Sequence, residues 1–194
     1  MTLAIIDASQ RKAARVAGFA FLFATAIVIV ANYGISFRLI VPGNAAETAR
    51  NIAAHESLFR LNIACDLIYV AGVVVLLAAL YVILKPVDRN LALVAAFCRL
   101  VFALMWGIAA FNMLTALRLL GDAAYLRVFE AGQLQGLARL QIAVGFDAYY
   151  AGLPFWGLAS TACSYLWLKS RYIPRSLAPR LARRKAARAR SCHP

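Results

Sequence analysis

Histidine is nearly absent, with only His55 and His193 in 194 residues, and acidic side chains are few, eight Asp and Glu against 21 Lys and Arg. Two isolated imidazoles cannot build the clustered Cys and His ligands of a structural or catalytic metal site, so no metal is expected. They also leave no intramembrane base to activate a serine or cysteine nucleophile. The sequence has no phosphate-cradling glycine loop and no His-Glu-x-x-His helix, so it indicates neither a cofactor nor an enzyme class. Of the four cysteines, Cys65, Cys98 and Cys163 fall inside apolar stretches, where a thiol acts as a small hydrophobe. No disulfide framework is implied.

What is abundant is apolar surface. The chain is 63% hydrophobic with a mean hydropathy of +0.73, against roughly 45–50% apolar for an average soluble domain. Four stretches are long enough to cross a bilayer as helices that satisfy their own backbone hydrogen bonds: residues 13–35, 61–84, 91–117 and 140–168. Residues 67–84 run without a charge, roughly 27 Å of helix at about 1.5 Å per residue, nearly the hydrocarbon thickness. The first stretch follows Arg11, Lys12 and Arg15 but exceeds a signal-peptide core and lacks a small-residue cleavage site, so it reads as an uncleaved span. The expected fold class is all-α, a polytopic transmembrane helical bundle with short interfacial helices in the outer loops. Residues 1–168 are expected to form the membrane domain, and residues 169–194 are expected to be a basic cytoplasmic tail without a fixed fold.

Charge sets the orientation. Nine of the 21 Lys and Arg lie in residues 169–190; with those of the N-terminus and of the Lys85 to Asn90 turn they mark one side as cytoplasmic, placing both termini inside. The turn carries Pro86 and Asn90 and makes the second and third spans an antiparallel hairpin. Arg180, Arg183, Arg184, Lys185, Arg188 and Arg190 form a polybasic segment suited to anionic lipid headgroups. Nucleic acid would need similar charge, but no binding module accompanies it.

The outer loops carry helix signals. Asn44 followed by Glu47 resembles a capping box, with Ala45, Ala49, Ile52 and Ala53 on one helical face. Asp122 is placed to cap a second short helix carrying Leu126 and Phe129. Tyr33, Phe37, Tyr149 and Tyr150 at the outer ends, and Tyr81, Tyr165, Trp167 and Tyr172 at the inner ends, read as aromatic belts. Gly145, Gly152 and Gly157 with Pro154 predict close helix contact and a kink in the fourth span, and Ala103 with Gly107 forms a small-residue pair in the third.

Counting about 1.5 Å per residue from the cytoplasmic ends puts Asn32, Asp66, Asn112 and Asp147 at one height, roughly 27–32 Å, with Arg99 at roughly 12 Å. This polar intramembrane layer has two readings: an outward-opening pocket for a cation, a proton or a polar solute, or residues that merely reach the interface. The second is preferred on the sequence. Arg99 is expected to snorkel to cytoplasmic phosphates, or else to take hydroxyl partners from Ser160, Thr161 and Ser164.

Several short stretches in order resemble the bacterial membrane proteins of domain-of-unknown-function family 4386. They are Leu39-Ile40-Val41-Pro42-Gly43-Asn44, Glu56-Ser57-Leu58-Phe59-Arg60-Leu61, Ala79-Leu80-Tyr81-Val82-Ile83-Leu84-Lys85-Pro86-Val87, Asn90-Leu91-Ala92-Leu93, Arg99-Leu100-Val101 and Tyr172-Ile173-Pro174-Arg175. The resemblance implies a multi-span helical protein of the bacterial inner membrane and brings no reaction, ligand or catalytic residue with it. The family pattern continues into further apolar helix where this chain turns to Ala and Arg, so a short member without a covering helix is expected. The leading expectation for function is a non-enzymatic structural or interaction role, with lipids and a second copy of the chain as partners. The alternative is a small-solute or proton-coupled permease using Asp66 and Asp147, and a membrane-embedded enzyme is the third.

The charge pattern makes a direct prediction. Topology reporters fused after Asn44, Asp88, Glu130 and Arg190 should report outside, inside, outside and inside in that order.

Overall fold

A computed structural model describes residues 8–170, and these are helical almost throughout. The polybasic segment containing Arg180, Arg183, Arg184, Lys185, Arg188 and Arg190, and the belt residue Tyr172, lie outside the described residues. Three helices are long and apolar enough to cross a membrane: α1 (Ala8–Leu39), α3 (Glu56–Leu84) and α4 (Arg89–Leu119). A short α2 (Ala45–Ala54) precedes α3, and a 40-residue α5 (Ala131–Ser170) ends the described chain. The fourth expected span lies inside α5. Its length is ample, but Asp147, Tyr149, Tyr150, Pro154, Ser160 and Thr161 dilute the apolar character of the span itself, so it is not among the three.

The local chemistry follows the sequence closely at the turns. Asn44 Oδ1 accepts from the Glu47 amide at 3.0 Å while Asn44 Nδ2 donates to Glu47 Oε2 at 2.9 Å, which starts α2 as the capping signal predicts. Just before it, the Asn44 amide donates to Val41 O across Pro42 and Gly43, and Gly43 takes φ +77, the backbone region that a Pro-Gly turn requires at its third residue. The buried face of α2 is Thr48, Ala49 and Ile52. Asp88 caps α4, its carboxylate accepting from the Leu91 amide and from Lys169 Nζ, both at 3.2 Å. The Leu91 amide, with Lys169 beside it, holds this carboxyl below the usual carboxylate range. The second loop differs from expectation. It forms a five-residue 3-10 helix (Ala124–Val128) that buries Leu126, and Ala123 rather than Asp122 stands at its start.

The order of packing is α1 on α3, α3 on α4 and α4 on α5, whereas α1 and α5 do not pack along one another. Two apolar clusters fill the bundle. One joins Ala17 and Ala20 of α1 to Leu76 and Ile83 of α3, Ala95 of α4 and Leu166 of α5. The other joins Ile35, Ile52, Phe59, Met113, Ala116 and Ile142. The early half of α1 therefore lies with the late half of α3, the early half of α4 and the late half of α5, the signature of an up-down-up-down arrangement. The Asp88 to Lys169 ion pair closes the same end, joining the α3–α4 turn to the end of α5.

The α4–α5 seam depends on two of the three predicted glycines. A Cβ on Gly145 would stand 3.2 Å from Ala109 O, and one on Gly152 would stand 3.0 Å from the Met105 Cβ and 3.2 Å from the Phe102 ring. They are seven residues apart, two helical turns on one face. Gly157 and Gly107 meet nothing within 4 Å and take no part, while Ala103 is fully buried. α5 remains helical through Pro154.

Gly145→Val and Gly152→Val should each lower unfolding stability in detergent by about 1–3 kcal/mol through overpacking of this seam. Gly157→Ala should leave it unchanged or raise it by a few tenths of a kcal/mol through helix propensity.

Candidate functional site

Between the two apolar clusters lies a polar and aromatic layer. Asp66 of α3 is 8% exposed, and its carboxylate accepts two hydrogen bonds. Trp106 Nε1 of α4 donates to Oδ1 at 3.1 Å, and Asn62 Nδ2, one turn earlier on α3, donates to Oδ2 at 3.3 Å. Asn62 is itself fixed from α1, because Ser36 Oγ donates to its Oδ1 at 3.0 Å. The acid thus takes donors from α3 and α4, and the α3 donor is in turn held from α1. The indole can only donate, which makes Oδ1 an acceptor in either protonation state of the acid. Along Ser36, Asn62 and Oδ2 the donor direction can reverse, because a hydroxyl, an amide and a carboxyl can each give or take a proton bond.

Aromatic rings surround the acid. Trp106 lies 4.5 Å from Tyr69, meets Tyr149 edge to face at 5.2 Å and Phe102 at 5.8 Å. Edge-to-face pairs of this kind lock ring orientation as well as burying area. Tyr149, expected in the outer belt, is instead turned into this cluster, and only Tyr150 beside it is well exposed.

Asp66 and Trp106 border a cavity of about 290 Å³. From α1 come Asn32, Tyr33, Ser36 and Phe37. From α5 come Gly145, Phe146 and Tyr149. All four long helices therefore reach it, and it occupies the side on which α1 and α5 fail to pack. The α1 contribution comes from a π-helical segment, Val30–Ser36, a wide-turn form that is uncommon and often found at functional sites.

Counting rise along the helices groups the four predicted residues of the polar layer, but direction around each helix separates them. Asp66 and Asn32 border the cavity, with Asn32 Nδ2 bonded to Val28 O at 3.1 Å. Asn112 donates to Ile108 O of its own helix and sits at the α4–α5 seam against Gly145. Asp147 is exposed and does not line the cavity. It stands two residues from both Gly145 and Tyr149, which face inward, and two residues turn a helix by about 200°. Asp66 and Asp147, the two acids of the permease alternative, therefore do not face one cavity. Among the described residues no three His, Cys, Asp or Glu side chains converge as metal ligands.

Arg99 faces its neighbouring helices. It packs between α3, α4 and α5 beside Leu80, Tyr81, Leu84 and Cys163, and its Nε is buried without a hydrogen-bond partner. The Thr161 hydroxyl bonds Gly157 O, and Ser164 is exposed. Ala92, Ala95 and Ala96 leave room for the Arg99 stem on the buried face of α4, and Leu80, Tyr81, Leu84 and Cys163 lie toward the Leu84 end of the bundle, the direction in which a snorkelling arginine extends.

Residues 16–181 match the model of a protein family described as Domain of unknown function (DUF4386). The chain belongs to the DUF4386 family. Neither a curated protein nor a solved structure matches it. The three long apolar helices fit a membrane protein, while the Asp66 layer comes from the geometry alone.

Trp106→Phe and Asp66→Leu should each destabilise the protein by about 1–3 kcal/mol, since each leaves a buried polar partner unmet. The double variant should lose less than the two single losses combined, by about 1 kcal/mol or more. Unfolding in mixed micelles measures all three. Strictly additive losses would show that the carboxylate and the indole do not interact.

Proposed function

We propose that this DUF4386 member is a non-enzymatic, multi-pass protein of the bacterial inner membrane that binds and passes a small polar solute, with Asp66 as its intramembrane site. One observation carries this reading: a buried carboxylate, oriented by donors from two helices, faces a cavity of about 290 Å³ that all four long helices line. Ionisable groups within membrane spans are costly, and their commonest use is along substrate, ion or proton routes. The groups around Asp66 suit holding and orienting. They offer donors and ring faces rather than a nucleophile with its base.

In this reading α5 spans the membrane as the fourth helix and both termini are cytoplasmic. The ion pair between Asp88 and Lys169 supports placing the α3–α4 turn and the end of α5 on one side. The polybasic tail then lies against anionic lipid headgroups on that side. A purely structural or interaction role is less favoured, because the small-residue face of α5 packs within the chain against α4 and leaves no close-packing seam there for a partner.

Compared with the sequence reading, the permease site loses one acid. In proteoliposomes offered a panel of labelled small solutes, with a lumenal pH dye, Asp66→Asn should reduce uptake or the pH response about tenfold or more. Asp147→Asn should leave it within about twofold, as expected for an exposed residue away from the site. Undiminished flux in Asp66→Asn would refute the site.

A further inference from the structure

Asp66 is a buried acid without a countercharge. The ion pairs among the described residues are Arg60 with Glu56 and Lys169 with Asp88, both at the helix ends. The partners of Asp66 are an indole and an amide, both neutral. Two neutral hydrogen bonds orient a carboxylate but leave its charge uncompensated in a poorly solvated setting. A carboxylate has about four lone-pair positions, so the two donors leave acceptor capacity over.

The cavity in front of it has a matching composition. Asp66 is its one charged lining residue, with no Lys, Arg or His, and five of its lining side chains are aromatic: Tyr33, Phe37, Trp106, Phe146 and Tyr149. Ring faces carry the negative part of the quadrupole and attract soft, weakly hydrated cations. A bare metal ion is a poor fit, because hard cations require about six oxygen ligands held at short range. The volume of about 290 Å³ suits a molecule instead, near the lower limit of small-molecule pockets.

Resting on the solute-binding reading above, we propose that the cavity takes a small organic cation, a primary or quaternary ammonium carrying an apolar group. The ammonium supplies the missing countercharge at Asp66, the apolar group lies against Phe146 and Tyr149, and Asn32 and Ser36 meet any polar substituent. Access is from the side between α1 and α5, where these helices do not pack together.

The test uses the full chain in a non-ionic maltoside detergent, with calorimetric titration of phenethylammonium, its neutral counterpart 2-phenylethanol, and phenylacetate. Phenethylammonium should bind at least about tenfold more tightly than the alcohol, with phenylacetate weakest, as expected for a charge-assisted contact. Asp66→Asn should remove that preference and leave alcohol binding unchanged. Phe146→Leu, at a partly exposed position where folding tolerates the change, should weaken the ammonium about two- to fivefold. Should Asp66→Asn fail to fold, the Phe146→Leu variant and the three-ligand ranking still decide. Equal binding of ammonium and alcohol would overturn the cation assignment while the pocket survives, and would mean that the acid is satisfied by a proton. Absence of binding by all three probes would overturn both the cation assignment and the solute-binding reading.

Discussion

The hydrogen bond from the Trp106 indole to the Asp66 carboxylate is the contact around which the middle of this bundle is arranged. An acid at this depth needs donors or it must be excluded from the helix interior. Its donors come from α3 itself and from α4, so the acid fixes the rotation of these two helices against each other. The ring that supplies the donor then orders its neighbours. Tyr69 lies against it from α3, and Tyr149 meets it edge-on from α5. The two apolar clusters above and below can be well packed separately because this layer sets the register between them.

Close approach on one flank explains the opening on the other. Gly145 and Gly152 bring the α5 backbone against Ala109, Met105 and Phe102 of α4, which carries Tyr149 in to the indole. α1 has no equivalent seam with α5. It packs on α3, and its π-helical segment presents Asn32 and Ser36 to the space that remains. The cavity is therefore a result of unequal packing among four helices rather than a defect within one interface.

Much of the architecture was legible in the sequence because its causes are one-dimensional. Apolar length marked three long apolar helices, the Asn44 and Glu47 spacing marked the start of α2, and Pro86 with Asn90 marked the hairpin. Height along the helices was also legible, and Asp66 and Asn32, picked out by it, border the same cavity. Angle about the helix axis was not, and that is why Asn112 and Asp147 were grouped with them. A residue count gives rise at about 1.5 Å per step, but the face presented turns by about 100° per step and depends on which neighbour packs. Trp106 and Asn62 were missed for a different reason. Trp106 reads as an apolar residue, yet its indole must find an acceptor when buried, and it lies at nearly the height of Asp66 by the same count. Asn62, four residues before Asp66, shares its helical face and was a usable signal.

Asp66 is also kept apart from Arg99. They carry opposite charges on adjacent helices, and a direct pair between them would relieve both. By helical rise they stand about 15 Å apart along the membrane axis, and their surroundings differ accordingly. Arg99 lies among Leu80, Leu84 and Cys163 in a cavity of about 10 Å³, large enough for little more than a water molecule. Asp66 borders about 290 Å³. Had the two paired, the acid would have been neutralised from within and the space beside it would have had no use for a charge. Keeping the arginine one apolar layer away leaves the carboxylate oriented by neutral donors and available to whatever enters between α1 and α5.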